Sequence, residues 1–209
     1  MKITTVTTNL FYTNSYILTD TETGCSALVD PGQWTEELEN ACNEVGMKNI
    51  KYILLTHGHF DHIFGLDEAK AKTGAQIAVS EIDAPMLKDT MQNASRLIGA
   101  SIVCQSDADI LLNDGDEIEL GNLKIQVIST PGHTKGSVCF LCGNTLISGD
   151  TMFCGGNGRT DLYGGDDFEL RMSFRRLAAL PDECEVYPGH DIPTTIGNER
   201  MNNSLMRMR

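Results

Sequence analysis

The sequence holds no apolar run approaching the roughly 18 uninterrupted residues of a membrane span, so no membrane-spanning helix is expected. Excess positive charge is also missing. Lys and Arg number 16 against 29 Asp and Glu, a formal net charge of -13 that repels phosphate backbones and argues against nucleic acid as a partner. The seven cysteines, Cys25, Cys42, Cys104, Cys139, Cys142, Cys154 and Cys184, form an odd and scattered set rather than the even framework of a disulfide-stapled domain. From Met1 to Asn9 apolar and hydroxyl residues alternate where a secretory signal would need an apolar core. That stretch reads as a first strand, and the expected location is the cytoplasm. The tract Gly155-Gly156-Asn157-Gly158 lacks the Gly-Lys-Ser/Thr ending of a phosphate loop.

What is present is ordinary globular patterning: 209 residues, 41% of them hydrophobic, enough for one α/β domain over 1–209. Ser15 to Asp20 and Cys25 to Asp30 are β-rich runs around the polar turn Thr21-Glu22-Thr23-Gly24, which predicts a hairpin. Trp34, Leu38, Ala41, Cys42 and Val45 fall at helical spacing and Gly46 stops the helix. Tyr52 to Leu55 is a short continuous apolar run, as expected for a strand covered on both faces, and a second helix is predicted from Ile63 to Lys72 before a strand at Gln76 to Val79. Ser80 to Gly99 reads as irregular helix broken at Pro85, with the character of a lid. Strands are then predicted at Glu117 to Leu120, Leu123 to Thr130, Gly136 to Cys142 and Asn144 to Ser148. They are followed by a helix from Phe168 to Leu180 and a strand from Cys184 to Tyr187. Two sheet-forming halves, each with covering helices, predict a sandwich of two mixed sheets with helices on the outer faces.

Histidine is scarce, and all five stand in motifs: His57-Gly58-His59-Phe60-Asp61-His62, Pro131-Gly132-His133-Thr134 and Pro188-Gly189-His190-Asp191. None is left over for the surface. Imidazole and carboxylate are the ligands divalent metals such as Zn²⁺ take in catalytic sites. On extended chain His57 and His59 project to the same side and can share one ion, while the turn that follows carries Asp61 and His62 to a neighbouring position. Asp61 could instead cap the helix after it. Both halves deliver histidines just after apolar strands, so ligands distant in sequence can converge at one sheet edge.

Five pieces in order resemble the metallo-β-lactamase superfamily, and within it the small single-domain glyoxalase II-like (hydroxyacylglutathione hydrolase-like) hydrolases. They are Leu28-Val29-Asp30-Pro31-Gly32, Thr56 to His62, Thr130 to Thr134, Ser148-Gly149-Asp150-Thr151 and Tyr187-Pro188-Gly189-His190. The resemblance implies an αββα fold and two metal positions, the first held by His57, His59 and His133, the second by Asp61, His62 and His190, with Asp150 bridging. The ions it implies are zinc, with iron or manganese as alternatives. Flavodiiron relatives carry glutamate where this chain has His59, which favours hydrolysis over oxygen reduction. The tracts Gly158-Arg159-Thr160-Asp161 and Thr194 to Arg200 resemble the same branch and place Arg159 near the substrate. Full-length glyoxalase II proteins continue after the last ligand into a helical domain that grips glutathione, whereas 19 residues (209 minus 190) follow His190 here. The thiol carrier is therefore left open.

The expected reaction is thioester hydrolysis by a hydroxide held between two cations, whose water would have a pKa near about 7. Asp61 is the expected base, and Asp30 and Thr56 are expected to orient the ligands, although Asp30 before Pro31-Gly32 also suits a turn. Arg159 could fork onto a substrate carboxylate. Cys139-Phe140-Leu141-Cys142 has the C-x-x-C spacing of redox or zinc sites but no second pair, and Cys154 follows Asp150 closely enough to approach the site. The rival activities are persulfide dioxygenation at a single iron, which shares the fold and nearly all these ligands, and lactone hydrolysis.

Overall fold

Period-2 alternation sorts the side chains of the first sheet between two separate cores. The computed structural model describes residues 1–207. In it, strands β1 (Lys2–Thr7), β2 (Asn14–Thr19), β3 (Ser26–Val29), β4 (Ile50–Leu54), β5 (Gln76–Ser80) and β6 (Ile110–Leu112) lie side by side in that order. The first two pairings are antiparallel and the remaining three parallel. Ile17, Leu28, Ile53 and Ile77 point to one face and meet Leu38, Ala41 and Cys42 of helix α1 (Glu36–Val45) and Leu66 and Ala69 of helix α3 (Leu66–Thr73). Their neighbours Tyr16, Leu18, Ala27, Val29, Leu54 and Ala78 point to the opposite face and meet the second sheet.

That second sheet has the order β14 (Thr194–Thr195), β13 (Glu185–Pro188), β10 (Thr145–Gly149), β9 (Val138–Cys142), β8 (Leu123–Ser129), β7 (Glu117–Leu120). Only β10 and β13 pair in parallel. Ile125, Val127, Phe140 and Ile147 close the core between the sheets. Ile128, Cys139, Leu146 and Val186 face outward under helices α4 (Asp167–Leu177) and α5 (Ile196–Asn202), which contribute Leu170, Phe174, Leu177 and Ile196. The layers are helix, sheet, sheet, helix. Each fully buried Leu, Ile or Phe in these three cores contributes about 1.5–3 kcal/mol, so the layering itself carries the stability of the fold.

Several elements differ from expectation for local reasons. The predicted helix from Ile63 to Lys72 is two pieces, α2 (Phe60–Ile63) and α3, parted at Gly65. The Gly65 amide donates to the Pro31 carbonyl at 2.8 Å, and a Cβ there would stand 2.6 Å from the Trp34 nitrogen. Ser80 to Gly99 contains no α-helix, only short 3-10 turns at 84–88 and 95–98, and this segment rests against the start of α2 through a 3.0 Å bond from the Phe60 amide to the Asn93 carbonyl. The helix predicted from Phe168 to Leu180 is α4, in which Phe168 is exposed and Asp166 is the cap, accepting from the Phe168 and Glu169 amides. The short strands β6, β14 and the ribbon β11 (Met152–Phe153) with β12 (Gly156–Asn157) are too brief to show in the pattern. Cys139 and Cys142 sit on opposite faces of β9, one in each core, so the C-x-x-C spacing unites nothing.

Candidate metal centre

Strands β3 and β4 run the same way in the first sheet, as do β8, β10 and β13 in the second, and the loop after each carries part of one cluster. After β3 comes Asp30, after β4 His57 to His62, after β8 His133, after β10 Asp150 and after β13 His190. Three sets of side-chain donor atoms lie close enough to hold a cation: His57, His59 and His133; Asp61, His62 and His190; and His57, His62 and Asp150, each set within 4.8 Å. Asp150 Oδ1 lies 3.3 Å from His62 Nε2, and its Oδ2 lies 3.5 Å from His133 Nε2 and 3.6 Å from His190 Nε2. One carboxylate thus reaches both triads. The convergence expected of His57 with His59 and of Asp61 with His62 is found. Asp61 does not cap α2: His59 occupies the cap position, and Asp61 stands in the first turn.

The outer ring nitrogens fix which way four of the imidazoles face. His62 Nδ1 donates to Asp30 Oδ2 at 2.9 Å, His133 Nδ1 to the Arg159 carbonyl at 2.7 Å, and His190 Nδ1 to the Tyr12 carbonyl at 3.1 Å. These oxygens can only accept, so each Nδ1 carries the proton. The Thr56 hydroxyl donates to Asp30 Oδ2 at 2.6 Å and so accepts from His57 Nδ1 at 3.1 Å. All four rings therefore keep their Nδ1 hydrogen bond on the outside and turn Nε2 inward, the nitrogen that the neutral ring offers to a cation. His59 presents Nδ1, 2.8 Å from His133 Nε2. Asp30 and Thr56 thus fix the ring orientations of His62 and His57, and Asp30 takes a left-handed backbone (φ 46°) that Asp tolerates better than most residues.

Of the six buried side-chain polar atoms without a hydrogen-bond partner among the described residues, four are here: His57 Nε2, His59 Nε2, His62 Nε2 and Asp150 Oδ1. Each such atom costs about 1–3 kcal/mol, so this donor set fits divalent cations better than it fits itself. Charge is unevenly distributed across the cluster. Burial, followed by the neighbouring rings His62 and His133, drives His57 well below an ordinary imidazole, and burial with His133 lowers His59 to about 3. For His62 burial pulls the same way, but the Asp150, Asp61 and Asp30 carboxylates overcome it and hold the ring well up. Burial would raise Asp61 and Asp150, and His62 with His190 outweighs it, keeping both below the usual carboxylate range.

A cavity of about 380 Å³ opens onto the cluster, walled by Phe60, Phe153, Leu162 and Ala94 and edged by Arg159. The Arg159 guanidinium is exposed and forks onto Asp161, Nε to Oδ1 at 2.7 Å and Nη2 to Oδ2 at 2.8 Å. Cys154 does not reach this cavity; it lines a separate depression with Tyr187 and Asn198. Two further buried acids lie near the cluster. Asp83 accepts from amides beside the ligands, and Glu199 accepts from the Gly155 amide in the loop after Asp150 and from Thr194. In the sequence Asp83 is a lone acid beside Pro85, whereas Glu199 stands in the Thr194 to Arg200 tract.

The family model described as the Metallo-beta-lactamase superfamily matches residues 8–190. The chain belongs to this superfamily. Among relatives, the Bacillus subtilis protein named probable metallo-hydrolase YqgX is 34% identical over 86% of both chains. Hydroxyacylglutathione hydrolase GloC of Haemophilus influenzae is 30% identical over the whole of both, and the hydroxyacylglutathione hydrolase of Ectopseudomonas mendocina is 35% identical over 91% of this chain but only 65% of its own length. The crystal structure of the BLEG-1 B3 metallo-beta-lactamase superposes with a TM-score of 0.90 at 31% identity, covering 99% of this chain and 100% of that one. TTHA1623 in a di-iron-bound form gives 0.85 at 32% identity over 96% and 98%, and ETHE1 from Myxococcus xanthus 0.82 at 29% over 100% and 86%. No helix among the described residues is long and apolar enough to cross a membrane.

Proposed function

We propose that this chain is a dinuclear metal-dependent hydrolase of thioesters of the S-acylglutathione kind. His57, His59 and His133 would hold one ion, Asp61, His62 and His190 the other, and Asp150 both. The observation that carries the reading is the reach of the Asp150 carboxylate to both triads, within 3.3–3.6 Å of His62, His133 and His190. Three protein ligands and a shared carboxylate leave each ion room for water or substrate, as catalytic sites require and closed structural sites do not. Zinc suits this donor set; so do iron and manganese, and the di-iron-bound form of TTHA1623 supports iron. The seven cysteines are all unpaired, which supports a reducing compartment such as the cytoplasm.

Bound cations would supply Lewis acidity to the thioester carbonyl and sulfur and bring a water toward a pKa of about 7. The chain's own groups do the rest. Asp61, ionised and 3.2 Å from His190 Nε2, would orient that water and accept its proton. Phe60, Phe153 and Leu162 would shield an acyl group from bulk solvent, and Arg159 would exchange Asp161 for a substrate carboxylate at the cavity edge. Agreement with the hydroxyacylglutathione hydrolases of Haemophilus influenzae and Ectopseudomonas mendocina supports thioester chemistry.

The likeness to ETHE1 supports a second reading, oxygen-dependent persulfide oxidation at a single iron. Metal analysis of the purified protein, with thiol release from acyl thioesters measured against oxygen consumption with glutathione persulfide, separates the two. Two metals and thiol release are expected. Oxygen consumption with one iron and no thioester turnover would replace the first reading by the second.

A further inference from the structure

We propose that Asp83 is a positioning residue that fixes the spacing between the two loops holding His57, His59 and His133, and so sets the cation affinity of that triad without being a ligand. The inference rests on the metal-hydrolase reading above and adds to it a selective control of one of the two ion positions.

Asp83 follows β5, on neither ligand-bearing loop, and is 1% exposed. Its Oδ2 accepts from the Gly58 amide at 3.1 Å and the Thr134 hydroxyl at 2.7 Å, and its Oδ1 from the Gly136 amide at 2.8 Å. Gly58 lies between His57 and His59, and Thr134 follows His133 directly. All three donors thus lie within three residues of members of the same triad, one on the first loop and two on the second. The carboxylate is itself held: the Asp83 amide donates to the Ser80 carbonyl at 3.1 Å and the Asp83 carbonyl accepts from the Met86 amide at 2.9 Å. Both glycines are needed for this approach. A Cβ on Gly136 would fall on the Asp83 carboxylate, and one on Gly58 would stand 2.6 Å from Met86 Cβ and 3.1 Å from the Asp83 carbonyl oxygen.

A carboxylate is the required chemistry because three donors converge on two oxygens and no donor is wanted in return. An amide of the same shape would turn its NH₂ toward an N–H or a hydroxyl. Around His62 and His190 the corresponding work falls to Asp30 and the Tyr12 carbonyl. Asp30 serves both triads, at His62 directly and at His57 through Thr56, whereas Asp83 joins only the two loops of His57, His59 and His133. Removing such outer partners costs about 10–100-fold in metal affinity.

The test is zinc binding to the full chain, followed by elemental analysis after dialysis against graded chelator, with circular dichroism and a melt of the metal-free protein as fold controls. Wild-type protein is expected to hold two ions. Asp83→Asn is expected to lose one of them at about 10–100-fold lower chelator strength while the second keeps its wild-type affinity, and added zinc should restore the wild-type turnover number. Thr134→Val, which removes one bond and leaves the carboxylate, should weaken the same ion by a smaller factor and serves if Asp83→Asn does not fold. A folded variant that keeps both ions at wild-type affinity, or loses both together, overturns the proposal. Wild-type protein that takes up no zinc, iron or manganese would instead overturn the metal-hydrolase reading on which it rests.

Discussion

Asp30 Oδ2 receives two hydrogen bonds at once, from His62 Nδ1 at 2.9 Å and from the Thr56 hydroxyl at 2.6 Å, while Asp30 Oδ1 takes the Thr56 amide at 2.8 Å. One buried carboxylate therefore sets the tautomer of His62 directly and that of His57 through Thr56. Asp30→Ala strands three buried donors, each at about 1–3 kcal/mol. The variant should be measurably less stable to urea, and its metal affinity should fall about 10–100-fold. Equilibrium dialysis with zinc and a urea titration check both; wild-type metal affinity in the folded variant would contradict the role given to Asp30.

Asp150→Ala should sharply reduce both metal content and turnover, because the residue it removes faces both triads. Full activity with two metals retained would exclude its bridging role. Asp61→Asn should lower the turnover number more than it raises KM for an acyl thioester, and steady-state kinetics on the metal-loaded protein decides this. An unchanged turnover number would remove Asp61 as the base.

Acid sensitivity should have a source far from the site. Asp20, at the end of β2, accepts from the Asn122 amide at 2.8 Å, Thr23 Oγ1 at 2.6 Å and the Glu22 amide at 3.1 Å, tying the hairpin turn of the first sheet to the β7–β8 turn of the second. The Asn122 amide above all, with Thr23 and Glu22, brings its carboxyl down to about 2. A depressed folded-state pKa favours the fold above the ordinary carboxylate pKa of about 4 and loses that contribution as pH falls through about 2. The stability difference between wild type and Asp20→Asn, followed by denaturant melts, should therefore be present at pH 6 and shrink between pH 4 and pH 2. A difference independent of pH would exclude the linkage.

Thiol reactivity should divide the cysteines. Burial pushes Cys42 and Cys104 up to about 12 and Cys139 to about 11, whereas Cys154 is exposed. Iodoacetamide at pH 8 on the folded protein should label Cys154 and leave those three unmodified, since only thiolate reacts. Peptide mapping by mass spectrometry reads the outcome.

The layered fold and the cluster are legible in the sequence because their signals are local. The apolar runs of β3 and β4 end at Val29 and Leu54, and β13 ends at Pro188, each at or just before a motif. The five histidines occur nowhere but in those motifs. What escapes the sequence depends on contacts between distant segments. The break at Gly65 is set by Pro31 and Trp34, which approach it only in the fold. Asp83 becomes meaningful only when Gly58, Thr134 and Gly136 close around it, 25, 51 and 53 residues away in sequence. The fork of Arg159 onto Asp161, a partner two residues on in its own loop, is likewise seen only in the fold.

The two sheets meet at the cluster as two jaws meet at a clasp. His57 to His62 come from the first sheet, and His133, Asp150 and His190 from the second. Asn14 of the first sheet reaches across to the carbonyls of Pro188 and Asp191, and the Tyr16 hydroxyl also donates to Pro188. A cation held between the jaws would therefore oppose their parting, so a chelator should loosen the packing between the sheets before it affects the helices on either outer face.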